Sequence, residues 1–120
     1  MRGEQFLTRK IQFSLVYDEG KSWTGKEVVI RALPNGLGSS RFGFVVSRRV
    51  GKAVIRNRVK RRLREIIRKI PVKPGWDIIL IARIPAAVAG FMDLSQSVRK
   101  LLVRAELLAG ENEGFSPGTN

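Results

Sequence analysis

The alternation of apolar and polar positions is sharpest in the middle of the chain. Ile55, Val59, Leu63, Ile66, Ile67 and Ile70 recur at the spacing i, i+4, i+8, i+11. On a helix of about 3.6 residues per turn they fill one arc of roughly 120°. The opposite arc carries Asn57, Arg58, Lys60, Arg61, Arg64, Arg68 and Lys69. The spacing predicts a helix with one face to bury and the other set with cations. Pro71 and Pro74-Gly75 end it.

Weaker periods place the remaining elements. Thr8 to Asp18 reads as a short helix, with Thr8 as N-cap and Gly20 as stop. Ile11 and Leu15 share one of its faces, Phe13 and Tyr17 another, with Val16 between; so short a helix cannot easily bury both. Phe13 and Tyr17 are then either core or an aromatic ledge on which a nucleobase stacks. Lys21 to Trp23 reads as a short strand and Lys26 to Ala32 as a better one, with Val28 and Ile30 alternating with Val29 and Arg31. After the turn-rich loop Pro34 to Ser40, Arg41 to Ser47 is a strand with Phe42, Phe44 and Val46 on one side. Its other side, Gly43, Val45 and Ser47, is small enough for a helix or a bound nucleic-acid strand to lie close. The hairpin-length loop predicts that these two strands pair antiparallel.

Asp77 to Ala82 is a continuous apolar run, suited to a central strand covered on both faces. Arg83 closes it, and Pro85 to Gly90 is a loop. The last helix is expected from Asp93, with Gln96 completing a capping box, and with Leu94, Val98, Leu101, Leu102, Ala105 and Leu108 as its buried stripe. Gly110 to Asn120 has no periodicity and reads as a disordered tail. The order predicts a single α+β domain over residues 1–109, one mixed sheet with flanking helices, and a tail over 110–120.

Charge then changes the picture. The 120 residues carry a formal charge of +13, and 11 of the 23 Lys and Arg residues fall between Arg48 and Ile70, beside a single acid, Glu65. Such a balance calls for a nucleic acid or an anionic membrane surface. The cations are mostly Arg, whose fork matches a phosphate with two hydrogen bonds. Gly51, just before the helix, offers a place where backbone could approach a ligand.

Catalytic chemistry is nearly absent from the sequence. There is no cysteine and no histidine, so the commonest general base and metal ligand are missing. The adjacent acids Asp18 and Glu19 read as a helix end, Ser47 has no histidine to activate it, and Gly43 and Gly51 form no phosphate-loop fingerprint. No metal ligand set is evident. Met1 to Thr8 shows no signal-peptide core, and Trp76 to Met92 is interrupted by Asp77, Arg83 and Pro85, so a cytoplasmic location without a membrane partner is expected.

Residues Arg41 to Glu65 resemble the signature of the bacterial ribonuclease P protein component. Ser47-Arg48-Arg49 matches the family's strand end, and Arg56-Asn57-Arg58, continuing through Lys60-Arg61 and Arg64-Glu65, matches its basic motif. The likeness extends to Phe13, Tyr17 and Gly20, to Asp77–Arg83 and to the last helix. It implies a fold like domain 2 of ribosomal protein S5, with a left-handed β-α-β crossover that runs against the right-handed default.

The resemblance also implies the protein subunit of an endoribonuclease that removes the 5′ leader of precursor tRNA. The partner RNA is expected to hold the active site and its Mg²⁺, and no protein partner is required. By the same likeness, Arg48, Arg49, Lys52, Arg56, Asn57, Arg58, Lys60, Arg61 and Arg64 are expected on the catalytic RNA. Phe13, Tyr17, Val29, Arg31 and Ser47 are expected along the leader. Arg31 stands where some family members carry tyrosine, which makes a phosphate contact or a guanidinium stack the expectation there. Two other readings fit the charge: a ribosome-associated RNA-binding protein on a similar fold, and a membrane-surface helix. The second would want Trp, Phe or Leu rather than Ile and Val on the apolar face.

Overall fold

The computed structural model describes residues 5–110. The strands are β1 (Gln5–Phe6), β2 (Lys21–Thr24), β3 (Val28–Pro34), β4 (Arg41–Val45) and β5 (Trp76–Ala82), and the helices α1 (Lys10–Glu19), α2 (Ala53–Arg68) and α3 (Phe91–Arg104). Short 3₁₀ turns at Arg48–Val50 and Ile84–Ala87 follow β4 and β5. The strands form one mixed sheet in the order β1-β4-β5-β3-β2. The α+β class with a single mixed sheet is as the sequence predicts.

The strand pairing is not. β3 and β4 do not pair; β5 lies between them, antiparallel to β3 and parallel to β4. Ile78, Ile79 and Leu80 have no exposed surface, and each such side chain stabilises the fold by roughly 1.5–3 kcal/mol when buried. A strand apolar on both faces gains most at the centre, so β5 takes the place that a β3–β4 hairpin would occupy. The loop between β3 and β4 crosses the end of β5 instead. There Asn35 donates to Ser39 O and Asp77 Oδ1, and Ser40 Oγ donates to Lys73 O. β4, α2 and β5 make the parallel β-α-β crossover.

Pleating sorts the sheet into two faces. Val28, Ile30, Ala32, Phe42, Ile78, Leu80 and Ala82 join Val59, Leu63, Ile66 and Ile67 of α2 and Leu94, Val98, Leu101 and Leu102 of α3 in the main core. The predicted stripe of α2 is thus the buried one, although Ile55 is only half-buried. That face is committed to the core, which leaves a membrane-surface helix nothing to insert. The other face carries a small cluster of Leu7, Val16 and Ile79, with Phe13, Leu33, Val45 and Ile81 half-buried around it.

Helix ends differ from expectation. Arg9, not Thr8, takes the N-cap position of α1, because Gln12 Oε1 reaches back to accept the N–H groups of both Thr8 and Arg9. α3 starts at Phe91 on Gly90, which places Asp93 in its first turn rather than at the cap, where a carboxylate suits the helix dipole. Beyond α3, Glu106 turns the chain at φ 60° and Leu107 and Leu108 return to the core, with Leu108 bridged to Val72. Of the expected tail, residues 111–120 lie outside the described residues.

Candidate nucleic-acid interface

The sides of α2 that do not face the core divide into two flanks and a crest. On one flank Arg58 Nη2 donates to Ala87 O (2.9 Å) and Arg62 Nη1 to Ala89 O (3.3 Å), tying α2 to the segment after β5. On the other flank the Arg64 guanidinium lies 5.7 Å from the Phe6 ring centroid and 5.8 Å from that of Phe44, a geometry in which the ring faces attract the cation. Asn57 and Arg61 stand exposed on the crest, and Lys60 is half-buried. The cations are therefore not equivalent: Arg58 and Arg64 also hold the fold, whereas Arg61 only faces outward.

The lead-in to α2 adds Arg48, Arg49 and Lys52, all exposed. The room at Gly51 is not open to a ligand, since a Cβ there would meet Ile55 at 3.1 Å, and Gly51 O already accepts Arg56 Nε (3.1 Å).

On the α1 side, register lays the sheet out in rows. Gly43 and Arg31 flank Ile79, and Val45 and Val29 flank Ile81. α1 lies over the first of these rows: a Cβ on Gly43 would come within 2.6 Å of Phe13 Cε1, and Val16 clusters with Ile79. Glycine is what lets the Phe13 ring rest on the sheet. The second row, Val45–Ile81–Val29, is only half-buried and forms an open apolar strip beside α1. Beyond it come Ser47, exposed at the end of β4, and Arg83, whose N–H bonds Glu27 O and whose Nη1 donates to Gly25 O. Ser47, Arg49, Val50, Arg83 and Pro85 line a shallow depression there.

Phe13 and Tyr17 do not share one fate. Phe13 is half-buried against the sheet, whereas Tyr17 is 41% exposed. Ile11 and Leu15 stay in solvent, so the apolar contacts that seat the helix come from Val16 and Phe13. Arg31 is turned inward, bonded to carbonyls of α1 and to Ser22. Arg83 is a cation that sequence reasoning left without a binding role; the two-residue period Ile79, Ile81, Arg83 already put it on the face of the open strip.

The described carboxylates do not build a metal site. Among the described residues no three His, Cys, Asp or Glu side chains group together. The buried carboxylate, Asp77, accepts Arg41 Nε at 2.8 Å, Arg41 Nη2 at 2.6 Å and Asn35 Nδ2 at 2.9 Å. That hydrogen bonding, with the attraction of the charges, raises the Arg41 pKa against the opposing effect of burial. Among the described residues no helix is long and apolar enough to cross a membrane.

A fold that spends one face of its basic helix on the core, and holds aromatic and cationic side chains beside an open sheet face, belongs to the RNA-binding class. Comparison with known proteins makes the class specific. The family model described as Ribonuclease P matches residues 1–106. The ribonuclease P protein component of Dehalococcoides mccartyi strain 195 is 43% identical over 116 residues, covering 97% of each chain. That of Clostridioides difficile strain 630 is 40% identical over 104 residues, covering 84% of this chain and 91% of its own. Among solved structures, the RNase P protein of Thermotoga maritima superposes with a TM-score of 0.75 at 35% identity, over 83% of this chain and 96% of its own. That of Staphylococcus aureus does so at 0.78 and 28% identity, over 90% and 99%. This chain belongs to the ribonuclease P protein family. Its role is that of the protein subunit in 5′ processing of tRNA, partnered with the ribonuclease P RNA in an endoribonuclease holoenzyme.

Proposed function

We propose that the crest and lead-in of α2 bind the catalytic RNA, and that the single-stranded 5′ leader of precursor tRNA lies along the open strip. The observation that carries the second half is the Val45–Ile81–Val29 row left half-covered beside Phe13 and Tyr17. In such a strip aromatic rings stack unpaired bases, while Ser47, Arg49 and Arg83 are placed to meet the backbone. Arg48, Lys52, Arg56, Lys60 and Arg61 draw in RNA phosphates regardless of sequence, with Arg58, Arg64 and Asn57 at the same surface. Chemistry at the scissile phosphate falls to the RNA subunit. Mg²⁺ is assigned there too, as the family resemblance implies. The work requires neither a membrane nor a second protein, and is cytoplasmic.

The test is cleavage of a precursor tRNA by a bacterial ribonuclease P RNA at low Mg²⁺, with and without this protein. Strong stimulation, with no cleavage by the protein alone, is expected. Tight RNA binding without stimulation of a matched RNA would overturn the reading.

A further inference from the structure

Arg31 spends its guanidinium on the chain itself. Nη2 donates to Tyr17 O at 2.5 Å and to Gly20 O at 2.9 Å, Nη1 donates to Ser22 Oγ at 2.5 Å, and Nε and Nη2 both approach Val16 O at 3.4 Å. The same group lies 5.9 Å from the centroid of the Tyr17 ring. These carbonyls are the end of α1, and the last carbonyls of any helix lack partners within it. α1 has no basic residue in its last turn, and Gly20 leaves it in an extended conformation rather than a left-handed cap. Val16 O already accepts the Gly20 N–H at 2.8 Å; the missing cation is supplied from β3, which gives Tyr17 O and Gly20 O a donor and complements the negative end of the dipole. Gly20 makes the approach possible: a Cβ there would stand 2.6 Å from Val16 O and 2.8 Å from Ala32 O.

The geometry points to Arg31 as a positioning residue for the leader strip. It holds the last turn of α1, and with it the Tyr17 ring, against β3, and does not bind the leader itself. A leader phosphate would have to displace carbonyls already bonded to the fork. This inference rests on the leader reading above, so its test needs a readout independent of leader binding. The chain supplies one, because Tyr17 is the only tyrosine. Fluorotyrosine labelling gives a single ¹⁹F resonance.

Arg31→Met removes every donor. Arg31→Lys keeps the charge but cannot span the same carbonyls, and it guards against a Met variant that fails to fold. Three quantities are read: the ¹⁹F resonance in the free protein, the affinity of the reconstituted holoenzyme for leader-bearing precursor relative to mature tRNA, and the salt dependence of precursor binding. Both variants are expected to move the resonance toward that of free fluorotyrosine. Both should lower the leader-dependent part of the affinity about fivefold, the low end of what one stacked base contributes, with the salt slope unchanged.

A direct phosphate contact predicts the reverse. Arg31→Lys would keep the affinity, Arg31→Met would lower the slope by about one, and the resonance would stay in place; that result overturns the inference, as does unchanged leader-dependent affinity in both variants. Phe13→Ala is the control. If it too leaves the leader-dependent affinity intact while the Arg31 variants still move the resonance, the leader reading has failed and the anchoring of Tyr17 has not.

Discussion

The two faces of the sheet are built to different standards. Toward α2 and α3, the residues of β3, β4 and β5 meet a continuous layer of buried aliphatic side chains. Toward α1, three residues are buried, Leu7, Val16 and Ile79, and those around them are half-covered. Interiors approach the packing density of organic crystals, and the first face carries by far the larger buried cluster. The second is held by one short helix over one row of the sheet. The difference teaches where stability and function reside. On the proposed leader reading, a face that admits a strand of RNA is not also sealed: the α2–α3 core carries the fold, and the α1 side is left half-covered.

The hardest way to break that division is to hollow out the closed face. Leu63 has no exposed surface, and Leu63→Ala should cost about 2–5 kcal/mol through lost burial and the cavity left behind. Ile11, 69% exposed on α1, should change stability by no more than about 0.5 kcal/mol when replaced by Ala. Thermal or urea unfolding of the two variants reads the contrast directly. Equal losses would mean that α1 is as integral to the core as α2.

A smaller effect is expected at the contact that seats α1. Gly43→Ala puts a methyl group 2.6 Å from Phe13 Cε1 and 3.2 Å from Leu7 Cδ1. The ring must shift, at a cost of about 1–3 kcal/mol for an overpacked site. The fold should survive, while discrimination between leader-bearing precursor and mature tRNA falls. Intact discrimination, measured by competition binding to the holoenzyme, would show that the strip tolerates a displaced Phe13 and that stacking there is not what holds the leader.

Much of the closed face was legible in the sequence and little of the open one. The stripe Val59–Leu63–Ile66–Ile67 has the helical period, and the run Ile78–Ile79–Leu80 has the length and composition of a central strand, so local pattern alone places both. Pairing was not legible in that way. The loop after β3 has hairpin length, but whether a third strand enters between β3 and β4 is decided by burial over the whole sheet, which no local period carries. The open face was legible in part, since the small side of β4 already admitted a close helix, but its side-chain contacts were not, for a related reason. Phe13 and Tyr17 are four apart, yet one packs on a glycine 30 positions away in sequence and the other sits under Arg31. Arg31 alternates correctly on β3 but turns back to α1, because the unsatisfied carbonyls that draw it in appear only once the chain has folded.

The finest test of the comparison lies within α2, where the two kinds of surface meet on one helix. Arg58 and Arg61 are three residues apart and look interchangeable in the sequence. Arg58 is half-buried, donates to Ala87 O, and keeps its Nε buried without a partner among the described residues; Arg61 is exposed on the crest. Arg61→Ala should leave the melting temperature unchanged, weaken binding to ribonuclease P RNA, and lower the slope of log affinity against log salt by about one. Arg58→Ala should lose affinity too, but with a loss of stability of about 1–2 kcal/mol from the missing charge-assisted hydrogen bond. Salt titrations paired with melting curves separate the two. If both variants change the slope and neither changes the melting temperature, Arg58 is a binding cation like its neighbour, and the flank of α2 belongs to the RNA surface as fully as its crest.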